Sequence, residues 1–119
     1  MKKNILLIVR NPPFANSSNA ETLDIAFACA AFDLPVSLLF LNDGILQLAN
    51  NQQSNLLEKK DLTNNFRALA MYDIEDYFVI AEDAQRYQLT QNDLILNCKI
   101  INKDKMAALI RTFDTVINL

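Results

Sequence analysis

Asn4-Ile5-Leu6-Leu7-Ile8-Val9 is the stretch that decides the fold. An unbroken aliphatic run this short, without polar alternation, reads as a strand buried on both faces, which is the condition of an interior strand in a parallel sheet. The polar, proline-bearing loop from Arg10 to Ser17 follows, and then Ser18-Asn19-Ala20-Glu21, whose S-x-x-E spacing predicts a capped helix start. Leu23, Phe27, Ala30 and Ala31 continue that helix, with small alanines for close approach to a sheet. Asp33-Leu34-Pro35 ends it, because the residue before proline disfavours the helical region. Val36 to Leu41 is a second buried strand.

Further along, Asn42-Asp43-Gly44 reads as a turn opening a short helix over Ile45 to Leu48. Asn50 to Asn55 is a polar connection, and Asp61 is placed to cap a helix carrying Leu62, Phe66, Leu69 and Ala70. Tyr77 to Ala81 is a third strand, Asp83 to Leu89 about one helical turn, and Leu94 to Ile101 a fourth strand. Asn102 is positioned to cap a helix through Met106 and Leu109 to Phe113, and Thr115 to Leu119 closes the chain as a strand. Strands that alternate with helices predict one α/β domain over residues 1–119: three layers, with a mostly parallel five-stranded sheet. In such sheets ligands and partners meet the loops at the carboxyl ends of the strands, here Arg10 to Ser17, Asn42 to Gln47 and Ala81 to Ala84.

Composition excludes much of the familiar chemistry. The chain has 119 residues, no histidine and one glycine. Without imidazole there is no Ser-His or Cys-His pair and no His-ligated zinc. Gly44 alone cannot write a G-x-G-x-x-G or Walker loop, both of which need several glycines against phosphate. A net charge of -3 is the wrong sign for gripping nucleic acid directly. The apolar run at the amino terminus breaks at Arg10-Asn11-Pro12-Pro13, too early for a signal peptide core or a membrane span, so a soluble, cytoplasmic protein is expected. No cofactor and no metal are implied.

Each remaining candidate has a plain alternative. An anion at the helix start after the first strand faces two prolines without N–H groups and the negative Glu21, so ordinary capping is the better reading. Asp73, Glu75 and Asp76 read as a solvated charged turn before a metal site. Cys29 sits among alanines on a packed helix face, where cysteine acts as a small hydrophobe. Cys98 falls inside the fourth strand and, with Lys99 beside it, is the one candidate persulfide carrier. From residue chemistry, Asp43 caps the short helix and Gly44 relieves a bend.

Two signatures change that weighting. Phe40-Leu41-Asn42-Asp43-Gly44-Ile45-Leu46-Gln47-Leu48 and Leu69-Ala70-Met71-Tyr72-Asp73-Ile74-Glu75 resemble the F-x-x-D-G-x-x-Q-L and L-Y-D-I-E patterns of the TusC family, also called DsrF. The resemblance implies a DsrE/DsrF-like fold and a heterohexamer of two heterotrimers with TusB-like and TusD-like paralogues. It implies a relay in which persulfide sulfur passes from a TusA-like donor to a TusE-like acceptor and ends in 2-thiolation of the tRNA wobble uridine. In the sulfur-carrying paralogue the reactive cysteine follows the third strand; here the matching loop is Ala81-Glu82-Asp83, so the resemblance implies a non-catalytic subunit. Phe14, Asp43, Gly44, Gln47, Tyr72 and Asp73 are the candidate partner interface. A DsrF-like role in sulfur oxidation and a flavodoxin-like small-ligand domain stand as alternatives.

Overall fold

The computed structural model describes residues 3–11, 18–49 and 68–119. Five strands, β1 (Ile5–Val9), β2 (Val36–Phe40), β3 (Asp76–Ile80), β4 (Lys99–Ile101) and β5 (Thr115–Asn118), pair in the order β4-β3-β2-β1-β5. Every pairing is parallel. The unbroken apolar runs explain the middle of this order: Leu6, Leu7, Ile8 and Val9 of β1 and all five residues of β2 are buried, as interior strands require. Side-chain alternation splits them between two cores. Leu7, Val9, Leu38, Phe40, Tyr77 and Val79 face one layer, and Leu6, Ile8, Leu39, Phe78 and Ile80 face the other.

The first layer holds α1 (Ser18–Ala31), the 3-10 segments Asn42–Leu48 and Ala68–Tyr72, and α2 (Ala81–Arg86). They contribute Leu23, Ala26, Ile45, Leu48, Leu69 and Ala84 to that core. The second layer holds α3 (Met106–Arg111), whose Met106, Leu109 and Ile110 pack on the opposite face. Handedness explains the division. The chain steps from β1 to β4 in one direction and returns from β4 to β5 in the other, so right-handed crossovers place the returning helix on the opposite face.

Several boundaries differ from the sequence expectation. Leu94 to Cys98 is not strand, because other groups take its backbone: Gln91 Nε2 donates to Leu96 O at 2.9 Å, Gln91 Oε1 accepts from Cys98 N at 3.2 Å, and Ile95 N donates to Leu48 O at 2.8 Å. Cys98 therefore precedes β4. Asn102 makes no side-chain cap, and a 3-10 turn (Lys103–Lys105) comes before α3. The segment after β2 is 3-10 from Asn42 onward, and α2 starts directly at the end of β3, two residues ahead of the expected turn. α1 starts at Ser18 as the spacing predicts, while the Ser18 side chain, Phe14, the Asn50 to Asn55 connection, Asp61, Leu62 and Phe66 lie outside the described residues.

With one glycine, the chain ends its helical segments on other residues. Asp33, Asp73 and Gln88 have φ of 60°, 63° and 56°. After each, the next N–H reaches back five residues: Leu34 to Cys29 O, Ile74 to Leu69 O and Leu89 to Ala84 O. This closure normally uses glycine, since a side chain costs energy in the left-handed region. Gln88→Gly is accordingly expected to stabilise the protein by about 0.5–1 kcal/mol, read as a higher urea midpoint with an unchanged slope. A lower midpoint would mean that Gln88 makes contacts worth more than its backbone cost.

Candidate functional site

The carboxyl edge of the sheet is assembled by three long-range contacts. Asn42 follows β2 with φ of 55°, and its N–H donates to Asp83 Oδ2 at 2.7 Å. Asp83 lies in the first turn of α2 and is 8% exposed, and this part-buried bond joins the turn after β2 to the turn after β3. Next to it, Arg86 Nη2 donates to Asp43 Oδ1 at 3.0 Å, and the Tyr87 hydroxyl donates to the same oxygen. The Arg86 guanidinium also lies over the Tyr87 ring, 4.7 Å from its centre. The hydrogen bond to the Asp43 carboxylate, first among several influences, pushes the Tyr87 hydroxyl pKa up. Third, Gln47 Nε2 donates to Asn11 O at 2.8 Å and holds the exit of β1.

These contacts sort the five candidate interface residues that lie among the described residues. Asp43 is half-exposed at the carboxyl edge, already engaged by Arg86 and Tyr87. Gln47 is fully buried and Gly44 is buried, so neither offers a side chain to a partner; both shape the turn from within. Tyr72 and Asp73 are exposed but precede β3, at the amino edge of the sheet. A five-residue strand, roughly 15 Å, separates them from Asp43. Phe14 lies outside the described residues. The five described candidates do not form one surface. Sequence reading marked the loop that holds Asp83 but gave its carboxylate no role, and it missed Arg86 and Tyr87; the available signal was a charged pair of turns at the ends of adjacent strands.

Because the Asp43–Arg86 pair is half-exposed, solvent screens it. Asp43→Asn is expected to lower Tm by about 2 °C or less. Calorimetry checks this, and a larger drop would show that Asp43 carries the turn's stability.

Neither thiol has the setting of a sulfur carrier. Cys29 is buried in α1, and desolvation raises its pKa. Cys98 is buried, its thiol donates to Leu96 O at 3.4 Å, and burial pushes it from 9.0 to about 12. A protonated thiol is a poor nucleophile at neutral pH. Between pH 9.0 and about 12 the unfolded chain releases this proton while the folded chain keeps it, so stability falls as pH rises. The expected slope from this group is about 1.4 kcal/mol per pH unit, and urea midpoints of wild type and Cys98→Ser across that window check it. Equal slopes would overturn the burial assignment. Among the described residues, no three His, Cys, Asp or Glu side chains are grouped to hold a metal ion, and no helix is long and apolar enough to cross a membrane.

Comparison with known proteins adds to this geometry. The DsrE/DsrF-like family profile matches residues 3–119. The Protein TusC homolog of Pseudomonas aeruginosa is 39% identical over 119 residues, covering all of both chains. The Protein TusC homolog of Haemophilus influenzae is 34% identical over 101 residues, 83% of this chain and 85% of the relative. Among solved structures, the ychN protein from E. coli matches with a TM-score of 0.80 and 16% identity over the whole of both chains, a likeness of fold.

Proposed function

The chain belongs to the DsrE/DsrF-like family, and from that premise we propose that it is a TusC-like subunit of a sulfur relay that holds its partners together and carries no sulfur itself. The observation that carries this reading is the turn after β3. In the loop where the resemblance implies a reactive cysteine in the carrying paralogue, this chain has Ala81-Glu82-Asp83, without a thiol, and the Asp83 carboxylate accepts the Asn42 N–H. A buried acceptor is the opposite of an exposed thiolate: it fixes a surface and offers nothing to attack.

On this reading the chain assembles with TusB-like and TusD-like paralogues as a heterohexamer of two heterotrimers. Sulfur would pass from a TusA-like donor to a TusE-like acceptor, toward the 2-thiolated wobble uridine of tRNA. The carboxyl-edge surface of Asp43, Arg86 and Tyr87 is the side that would meet the carrying paralogue, because that edge is where its cysteine turn would lie. The whole of residues 1–119 would act as one domain in a cytoplasmic, non-enzymatic role.

The test is purification of the tagged full chain from its native cell, with native mass measurement and tRNA analysis of a deletion strain. Expected are two similar-sized paralogues in equal amount, a persulfide on one of them after incubation with a loaded donor, and tRNA lacking the 2-thiolated wobble base. A chain recovered alone with a bound small molecule, or one that gains a sulfur atom lost on Cys98→Ser, would sink the proposal. Intact thiolation with defective sulfur oxidation would reassign the complex to that pathway.

A further inference from the structure

Gly44 is the one glycine of the chain, so Asp43-Gly44 is its one aspartate-to-glycine step. Such a step is the aspartyl bond most open to attack, because glycine has no Cβ to shield its amide nitrogen from the neighbouring carboxyl carbon. Packing rules out a safer residue: a Cβ at position 44 would lie 2.0 Å from the Val9 carbonyl oxygen. The turn after β2 therefore keeps a chemically labile bond, and the fold restrains both of its reacting groups. Asp43 Oδ1 accepts from Arg86 Nη2 at 3.0 Å and from the Tyr87 hydroxyl. The Gly44 N–H donates to Leu41 O at 3.0 Å, at the start of the 3-10 segment. Arg86 ends α2 and Tyr87 follows it, 43 and 44 positions beyond Asp43, so the hold on the carboxylate comes from a distant segment and not from the turn itself.

We propose that Asp43 is a site of spontaneous isomerisation to isoaspartate and that Arg86 and Tyr87 form a clamp that suppresses it in the folded chain. In this reaction the Gly44 nitrogen attacks Asp43 Cγ. An N–Cγ bond forms, a Cγ–O bond breaks, and the departing oxygen leaves as water with the amide proton and one proton from solvent. Water then opens the five-membered imide at either carbonyl; opening at the original main-chain carbonyl leaves the chain running through Cγ, with the α-carboxylate as the new side group. Nothing is oxidised or reduced. Ring closure needs two movements that the contacts oppose. Cγ must swing toward the nitrogen, which takes Oδ1 from its charge-assisted bond to Arg86 and from Tyr87, and the nitrogen must release Leu41 O. The product lengthens the main chain by one carbon where Gly44 is packed against the end of β1, so it displaces the buried Ile45 and Leu48. The inference concerns the free chain and does not rest on the relay reading.

The test holds the full chain at physiological temperature and neutral pH, folded or in concentrated urea, and counts isoaspartate at position 43 over time by peptide mass spectrometry with electron-transfer fragmentation. The folded wild type is expected to isomerise about tenfold more slowly than the unfolded chain, and folded Arg86→Ala/Tyr87→Phe about fivefold faster than folded wild type, with amide exchange in β2 unchanged. Asp43→Glu, whose carboxyl carbon sits one bond further out, is expected to give no isomerised product and sets the baseline. A folded rate equal to the unfolded one, or equal folded rates for wild type and the double variant, would overturn the proposal. So would an acceleration matched by faster exchange in β2, since global opening and not the clamp would then set the rate. Paralogues recovered by a chain whose turn isomerises unprotected would leave the relay reading standing and this one down.

Discussion

Gly44→Ala is expected to be the most damaging single methyl that can be added to this protein. An ideal Cβ at Gly44 lies 2.0 Å from the Val9 carbonyl oxygen, 2.8 Å from its carbon and 3.3 Å from Arg10 Cα. All three atoms belong to the backbone at the end of β1, so no side-chain rotation relieves the clash. That oxygen also accepts the Leu41 N–H at 2.9 Å. Retreat of the turn would break the Gly44 N–H bond to Leu41 O, 3.0 Å long, and shift Ile45 and Leu48, both fully buried. The expected cost is about 3 kcal/mol or more, a Tm drop of about 10 °C, with a lower urea midpoint. Gly44→Ser should match it, because the clash depends on Cβ and not on polarity. A loss below about 1 kcal/mol would show that the turn moves away freely.

Asp83→Ala is the second large effect. It removes the acceptor of the Asn42 N–H at the junction of the two turns, and the lost part-buried bond to a carboxylate is expected to cost about 2 kcal/mol. Asp83→Asn keeps an acceptor oxygen and should cost about half as much. Amide exchange separates this from general destabilisation: Asn42 should exchange faster in Asp83→Ala under conditions where β2 amides stay protected. Unchanged exchange at Asn42, or equal costs for alanine and asparagine, would refute the role. Because Asn42 precedes Asp43, Asp83→Ala is also expected to loosen the Asp43–Arg86 contact and to weaken any partner bound at that edge.

Both sites show why the turn after β2 was only half legible. The pattern Asn42-Asp43-Gly44 marks a turn, in which Gly44 reads as relieving a bend. Instead, the left-handed angle falls on Asn42, and Gly44 is needed because β1 passes too close for a Cβ. Gln47 belongs to the signature and to the candidate partner interface, yet it is buried and its amide donates to Asn11 O. Asp83 and Arg86 carried no motif at all. Their partners are 41 and 43 positions away, beyond the reach of any local spacing. Tyr72 and Asp73 belong to a signature, but their place at the amino edge depends on where their segment enters β3.

Local sequence determined what depends on local periodicity and steric preference. Aliphatic runs without alternation required strands buried on both faces, the helical segments between them required parallel crossovers, and the absence of histidine and of a glycine-rich loop removed whole classes of chemistry. The tertiary structure decided what depends on meetings across the chain. It placed β5 beside β1, gave β4 its short length through Gln91, buried Gln47, and put Asp43 at one edge of the sheet with Tyr72 and Asp73 at the other. The physical reason is range: strand and helix patterns repeat every few residues, whereas a hydrogen-bond partner or a backbone 2.0 Å from a missing Cβ is chosen only when distant segments pack together.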